Sequence, residues 1–147
     1  NQLEPAQSEP LSGKPITVLG LAYKEDVDDM RESPAIEVAR LLSQAGARVS
    51  AYEPNRLDAH VDGVQTVVSL EDALAHAEIV VLLVGHSVFR GLDPSLLASL
   101  TPARILVDCA NSWTAPSWEG AGFKVFRLGA NRSNSAGAPS QPQQELG

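Results

Sequence analysis

Residues 16–52 read ITVLGLAYKEDVDDMRESPAIEVARLLSQAGARVSAY, and the fold follows from how this stretch is punctuated. It opens on an apolar run of strand length, 16–22, and closes on a second, 48–52. Between them Ala35, Val38, Ala39, Leu42 and Ala45 recur at spacings of three and four, the signature of one buried helix face over 34–45. Both ends of that helix are marked. Ser33 can accept from exposed amides, Pro34 suits the first helical position because it has no N–H to leave unpaired, and Gly46 suits the left-handed residue beyond the end. Strand, helix and strand in this order predict a right-handed crossover between parallel strands.

Working outward, the segments keep alternating. Strands are expected at 65–68, 79–84, 104–107 and 124–126, helices at 70–76 and 94–100, and an irregular turn at 115–121. The run IVVLLV at 79–84 is apolar on both faces, which places it mid-sheet with cover on each side. The reading is therefore an α/β fold, a Rossmann-like doubly wound parallel sheet of about six strands with helices on both faces. Such sheets bind ligands outside the carboxyl ends of their strands, near the point where strand order reverses. Here that means the loops beginning at Tyr23, Glu53, Gly85 and Asp108.

With 147 residues, 44% hydrophobic and 20% charged, the chain suits one globular domain, expected over 14–132. Residues 1–13 read as a linker or disordered segment, and 133–147 as a disordered polar tail that buries too little to offset chain entropy. No apolar run approaches the roughly 20 residues that span a bilayer, and the first residues lack a signal peptide's basic start and apolar stretch. A cytoplasmic protein without a membrane partner is expected. One cysteine makes no internal disulfide, and His60, His76 and His86 share no metal-ligand spacing, so no metal is expected. A net charge of −7 offers nothing to nucleic acid. An anionic ligand would have to be held by a few placed groups.

The first loop, LAYKEDVDDMRES at 21–33, contains no glycine, whereas a dinucleotide's pyrophosphate ordinarily meets a glycine-rich turn there. Glu53 stands where a ribose-binding acid would, yet reads as a solvated loop acid before Pro54. The loop's five acids serve as turn formers and helix-dipole partners, with Arg31 able to tie down one of them by a forked ion pair. The other reading is that Lys24 and Arg31, at the carboxyl end of the first strand, meet a phosphate or carboxylate. Cys109 reads as a small buried residue rather than a nucleophile, His86 as a residue near the ligand edge, and Trp113 and Trp118 as packing anchors.

GLAYKEDVDDMRESPAIEVARLL at 20–42, YEPN at 52–55, EDALAHAEIVVLLVGHSVFRGLDP at 71–94 and VDCANSW at 107–113 together resemble the C-terminal, UDP-binding domain of the UDP-glucose/GDP-mannose dehydrogenase family. The resemblance runs over roughly 14–128. Through EPN, VLLVGHSVF and Trp113 it is most similar to the branch that oxidises UDP-N-acetyl-D-mannosamine. It implies the nucleotide-sugar-binding part of an NAD-dependent UDP-sugar 6-dehydrogenase of polysaccharide biosynthesis, inactive alone. The catalytic cysteine and main NAD site would lie in N-terminal and central dimerisation domains outside this chain, in an enzyme that is a homo-oligomer at full length. By position, Tyr23 and Lys24 match substrate-binding residues, and Arg31 matches an arginine that reaches NAD in the other domain; no catalytic residue is implied. Ala110 stands where the family carries a basic residue, with Asn111 or Arg132 as possible substitutes, and Gly85 stands where relatives often carry an acid. The alternative is a standalone nucleotide-sugar-binding or regulatory module that has lost activity.

Overall fold

The computed structural model describes residues 11–128. Six strands form one parallel sheet: β1 Pro15–Leu19, β2 Arg48–Tyr52, β3 Gln65–Val67, β4 Ile79–Leu82, β5 Ile105–Asp108 and β6 Lys124–Arg127. Their spatial order is β3-β2-β1-β4-β5-β6, so the order reverses between β1 and β4. Ile16 is in register with Val49 on one side and Ile79 on the other. The helices are α1 Pro34–Gln44, α2 Leu70–Leu74, α3 Ser87–Arg90, α4 Pro94–Leu100 and α5 Ser117–Gly120. This is the doubly wound sheet expected from the alternating pattern.

Successive strand side chains point to opposite faces, and the core divides accordingly. Ile16, Val18, Val49, Ala51 and Val81 pack with Ala39 of α1 on one face. Leu19, Val80, Leu82 and Leu106 pack with Leu74, Phe89, Leu97, Trp113 and Trp118 on the other. β4 contributes to both, which is why its sequence shows no polar alternation. Trp113 and Trp118 stack with ring centroids 4.7 Å apart, and the Trp113 indole donates to the Phe89 carbonyl at 3.0 Å. They are packing anchors, as their isolation from any basic groove suggested.

The caps of α1 are those its sequence marks. The Ser33 hydroxyl accepts from the Ala35 amide at 3.2 Å and donates to the Ala22 carbonyl at 3.0 Å; Gly46 takes φ +102°. A side-chain cap of this kind is worth about 1 kcal/mol.

Several boundaries differ from expectation. β1 stops at Leu19 instead of running to residue 22, because Gly20 turns the chain at φ +95° against Val84. Leu21 and Ala22 are apolar because they are buried, not because they are paired as strand. α2 ends at Leu74, leaving His76 exposed beyond the helix. α3 is too short for any periodicity to show it, and the turn at 115–121 contains α5. The anticipated tail lies outside the described residues, as does most of the anticipated linker. Among the described residues no helix is long and apolar enough to cross a membrane, and no three potential metal ligands cluster.

Candidate functional site

At the carboxyl edge, where strand order reverses, the loops after β1, β4 and β5 surround a hollow of about 520 Å³ lined by Tyr23, Lys24, Glu25, Leu83, Val84, Gly85 and Ala110. Three of the four loops singled out from sequence meet here. Tyr23 also borders a neighbouring hollow of about 300 Å³ with Asp29, Arg31 and Glu32. Thus Lys24 lines one hollow and Arg31 the other, and the exposed Tyr23 borders both. Another hollow, of about 550 Å³, lies at the opposite edge around Pro15, Arg48 and Gln65, where the strands begin. A parallel sheet presents its loops and helix starts to a ligand at the carboxyl edge instead.

The β5 side of the hollow is shaped by Asp108. Its buried carboxylate accepts from the amides of Ala110 at 3.0 Å, Ser112 at 3.0 Å and Trp113 at 2.8 Å. The same turn carries Asn111 at φ +54°.

The glycine-free first loop is held from outside itself. Glu53, at the end of β2, is buried, and its Oε1 accepts from the amides of Leu21 at 2.7 Å and Ala22 at 2.9 Å and from His86 Nε2 at 2.9 Å. Its Oε2 accepts from the Asn55 amide at 2.9 Å, and the Asn55 side chain donates to the Val27 carbonyl at 3.2 Å. His86 Nδ1 accepts from the Asp26 amide at 2.8 Å. Within the loop the Tyr23 amide donates to the Asp29 carbonyl at 2.6 Å. Asp26, at φ +60°, accepts from the Ser87 amide and hydroxyl at 2.8 and 2.7 Å.

These contacts correct the expectation for Glu53: it is not a solvated loop acid but the buried anchor of the neighbouring loop. Burial pushes its carboxyl up, but the His86 bond and the Leu21 and Asn55 amides outweigh that and hold it below the usual carboxylate range. His86 stands beneath the loop and does not line the hollow. Cys109 is exposed rather than buried; desolvation of the thiol by its neighbours, then the Asp108 charge, push its pKa up, the opposite of an activated nucleophile.

Among the described residues, three of the loop's five acids, Glu25, Asp26 and Asp29, have an arginine partner. Arg31 forks onto Asp29 through Nε at 3.0 Å and Nη2 at 2.9 Å, as anticipated, and this holds the Asp29 carboxyl down at about 2. Arg90 lies 3.5 Å from Glu25 and 3.9 Å from Asp26 and also donates to the Gly85 carbonyl. Lys24 has no carboxylate partner among the described residues, whereas Arg31, Arg56 and Arg127 at this edge each have one and Arg90 has two. Arg132 lies outside the described residues. An unpaired lysine beside a hollow can meet a phosphate directly; Arg31 must first release Asp29.

The start of α1 does not fit an NAD pyrophosphate. Pro34 has no N–H, the Ala35 amide is taken by Ser33, and Gly20 is packed against Val84, so the backbone cradle that such a group uses is absent.

The sequence from 17 to 115 matches the model of the UDP-glucose/GDP-mannose dehydrogenase family, UDP binding domain. The chain is 34% identical to a UDP-glucose 6-dehydrogenase of Rhizobium meliloti over 81% of its own length and 28% of that protein's. It is 42% identical to an NDP-N-acetyl-D-galactosaminuronic acid dehydrogenase of Ralstonia solanacearum over 68% of its own length and 23% of that protein's. Among solved structures, a UDP-D-ManNAc dehydrogenase from Pyrococcus horikoshii superposes with a TM-score of 0.66 at 27% identity, covering 82% of this chain and 26% of that one. The chain thus spans about a quarter of the length of the proteins it matches, and it belongs to the UDP-glucose/GDP-mannose dehydrogenase family as its UDP-binding domain.

Proposed function

We propose that this chain is the nucleotide-sugar-binding part of an NAD-dependent UDP-sugar 6-dehydrogenase of the cytoplasm, acting on UDP-N-acetyl-D-mannosamine, and that it has no activity by itself. Lys24 and Tyr23 contact the UDP-sugar, and Arg31 turns toward NAD carried by another domain of the same polypeptide. The catalytic cysteine belongs to that larger polypeptide, which assembles as a homo-oligomer. The observation that carries the reading is Lys24, which has no acid partner among the described residues, standing at the rim of the carboxyl-edge hollow. A lysine in that position attracts a diphosphate that the protein's overall charge would repel. The misfit of the α1 start with a pyrophosphate supports assigning NAD to another domain. The choice of sugar is supported by the resemblance of EPN, VLLVGHSVF and Trp113 to one branch of the family.

Isothermal calorimetry of the chain with UDP and with NAD tests this. UDP should bind at micromolar to millimolar concentration and NAD more weakly. Tighter binding of NAD would reverse the assignment, and no UDP heat at millimolar concentration would remove it. Ala110 favours the second reading, a standalone nucleotide-sugar-binding module without catalysis, because it lines the hollow without bringing a charge. Retained UDP affinity, together with no dehydrogenase activity when the gene's complete product is purified, would select that reading.

A further inference from the structure

Resting on the reading of the carboxyl edge as the nucleotide site, we infer that Glu53 and His86 are positioning residues, a buried carboxylate–imidazole latch that sets the loop from which Tyr23 and Lys24 face the hollow.

The latch grips the loop on both sides of those residues. Upstream, Glu53 takes the amides of Leu21 and Ala22; downstream, His86 takes the amide of Asp26. The two gripping side chains are joined to each other at 2.9 Å, and both are almost wholly buried. Only Tyr23, Lys24 and Glu25 lie between the two grips, and all three line the hollow.

The chemistry fixes the proton. The Asp26 amide can donate only to a bare Nδ1, so the ring's hydrogen sits on Nε2 and donates to Glu53. His86 therefore works as a neutral relay, an acceptor toward the loop and a donor toward the carboxylate. In a glycine-rich turn the loop amides meet the ligand and are ordered by it. Here three of those amides are already taken by the latch, so recognition falls to side chains, and their placement depends on Glu53 and His86. Preorganisation of this kind lowers the ordering cost of binding.

Two conservative substitutions separate the latch's bonds. In His86→Asn the side-chain amide oxygen reaches the place of Nδ1 and can accept from Asp26, but contact with Glu53 is lost. In His86→Gln the side-chain amide reaches the place of Nε2 and can donate to Glu53, but the Asp26 amide is left without a partner. Amide hydrogen exchange and UDP calorimetry are then read on the whole chain. The latch predicts that His86→Gln speeds exchange at Asp26 at least tenfold relative to β4 amides, leaves Leu21 and Ala22 protected, and weakens UDP binding about tenfold. His86→Asn should keep Asp26 protected and hold UDP affinity within about threefold. Equal losses in both variants, or Asp26 exchange in His86→Gln that merely follows β4, would mean packing alone and overturn the inference. Absence of UDP binding by the unsubstituted chain would overturn the nucleotide reading, while the exchange data would still judge the latch. Should His86→Gln fail to fold, nitrogen-15 NMR of the unsubstituted imidazole decides: Nε2–H with a bare Nδ1 is required, and a proton on Nδ1 refutes it.

Discussion

Replacing Glu53 with glutamine keeps the shape of the side chain and removes its charge, which makes it a quantitative probe of the anchor beneath the first loop. The carboxylate accepts four hydrogen bonds, three at Oε1 and one at Oε2. If the glutamine oxygen occupies the Oε1 site, those three bonds survive but fall from charge-assisted to neutral strength, a loss on the order of 0.5–1 kcal/mol each. The glutamine NH2 then faces the Asn55 amide, donor against donor, which leaves the buried side chain at 53 with an unsatisfied donor for about 1–2 kcal/mol. Allowing for relaxation, the loss should be about 2–4 kcal/mol at pH 7, a large share of the stability of a domain this size. Urea denaturation followed by tryptophan fluorescence measures it, because Trp113 and Trp118 report on the core. The sign of the pH dependence gives a second check. A carboxyl held below its ordinary value of about 4.5 contributes stability that is present above that pH and is lost as pH falls through its folded value. The gap between the parent and Glu53→Gln should therefore narrow on acidification below about 4.5. A change under about 0.5 kcal/mol at pH 7, or a gap that widens in acid, would refute the reasoning.

Lys24→Ala should leave stability within about 0.5 kcal/mol, as expected for an exposed side chain, and weaken UDP binding roughly 5- to 150-fold through loss of one charge-assisted contact; calorimetry reads the second and denaturation the first. Gly20→Ala should destabilise the fold by at least about 2 kcal/mol, because a Cβ would lie 2.7 Å from Val84 Cβ and 2.9 Å from its amide nitrogen at φ +95°, seen as a fall in Tm. Ser33→Ala removes both the α1 cap and the bond to the Ala22 carbonyl and should cost about 1–2 kcal/mol, again read by denaturation.

What could be read from the sequence was local. Ser33, Pro34 and Gly46 mark α1 because caps act within one turn, and the doubly apolar run at 79–84 reveals a mid-sheet strand because both its faces are covered. A forked ion pair from Arg31 to one of the loop's acids was legible for the same reason; the structure makes Asp29, two positions away, its partner. The support of the first loop was not. Glu53 meets His86 across 33 residues and His86 meets Asp26 across 60, and no periodicity connects them. The pair could be found only as an acid and a histidine, each placed just beyond the end of a strand. Seen alone, Glu53 before Pro54 looks like any solvated turn acid; the register of β2 and β4 on either side of β1 is what brings it under the loop. Cys109 departs from expectation on the same ground, because the Asp108 turn orients the residues after β5 and leaves Cys109 exposed.

Titration of UDP into nitrogen-15-labelled protein tests directly whether a nucleotide occupies the carboxyl edge. The amides of Tyr23, Lys24, Glu25, Gly85 and Ala110 should shift in a saturable way with a single dissociation constant, while those of Arg48, Gln65 and His76 at the opposite edge stay in place. Shifts centred on the opposite edge, or none at millimolar UDP, would contradict it.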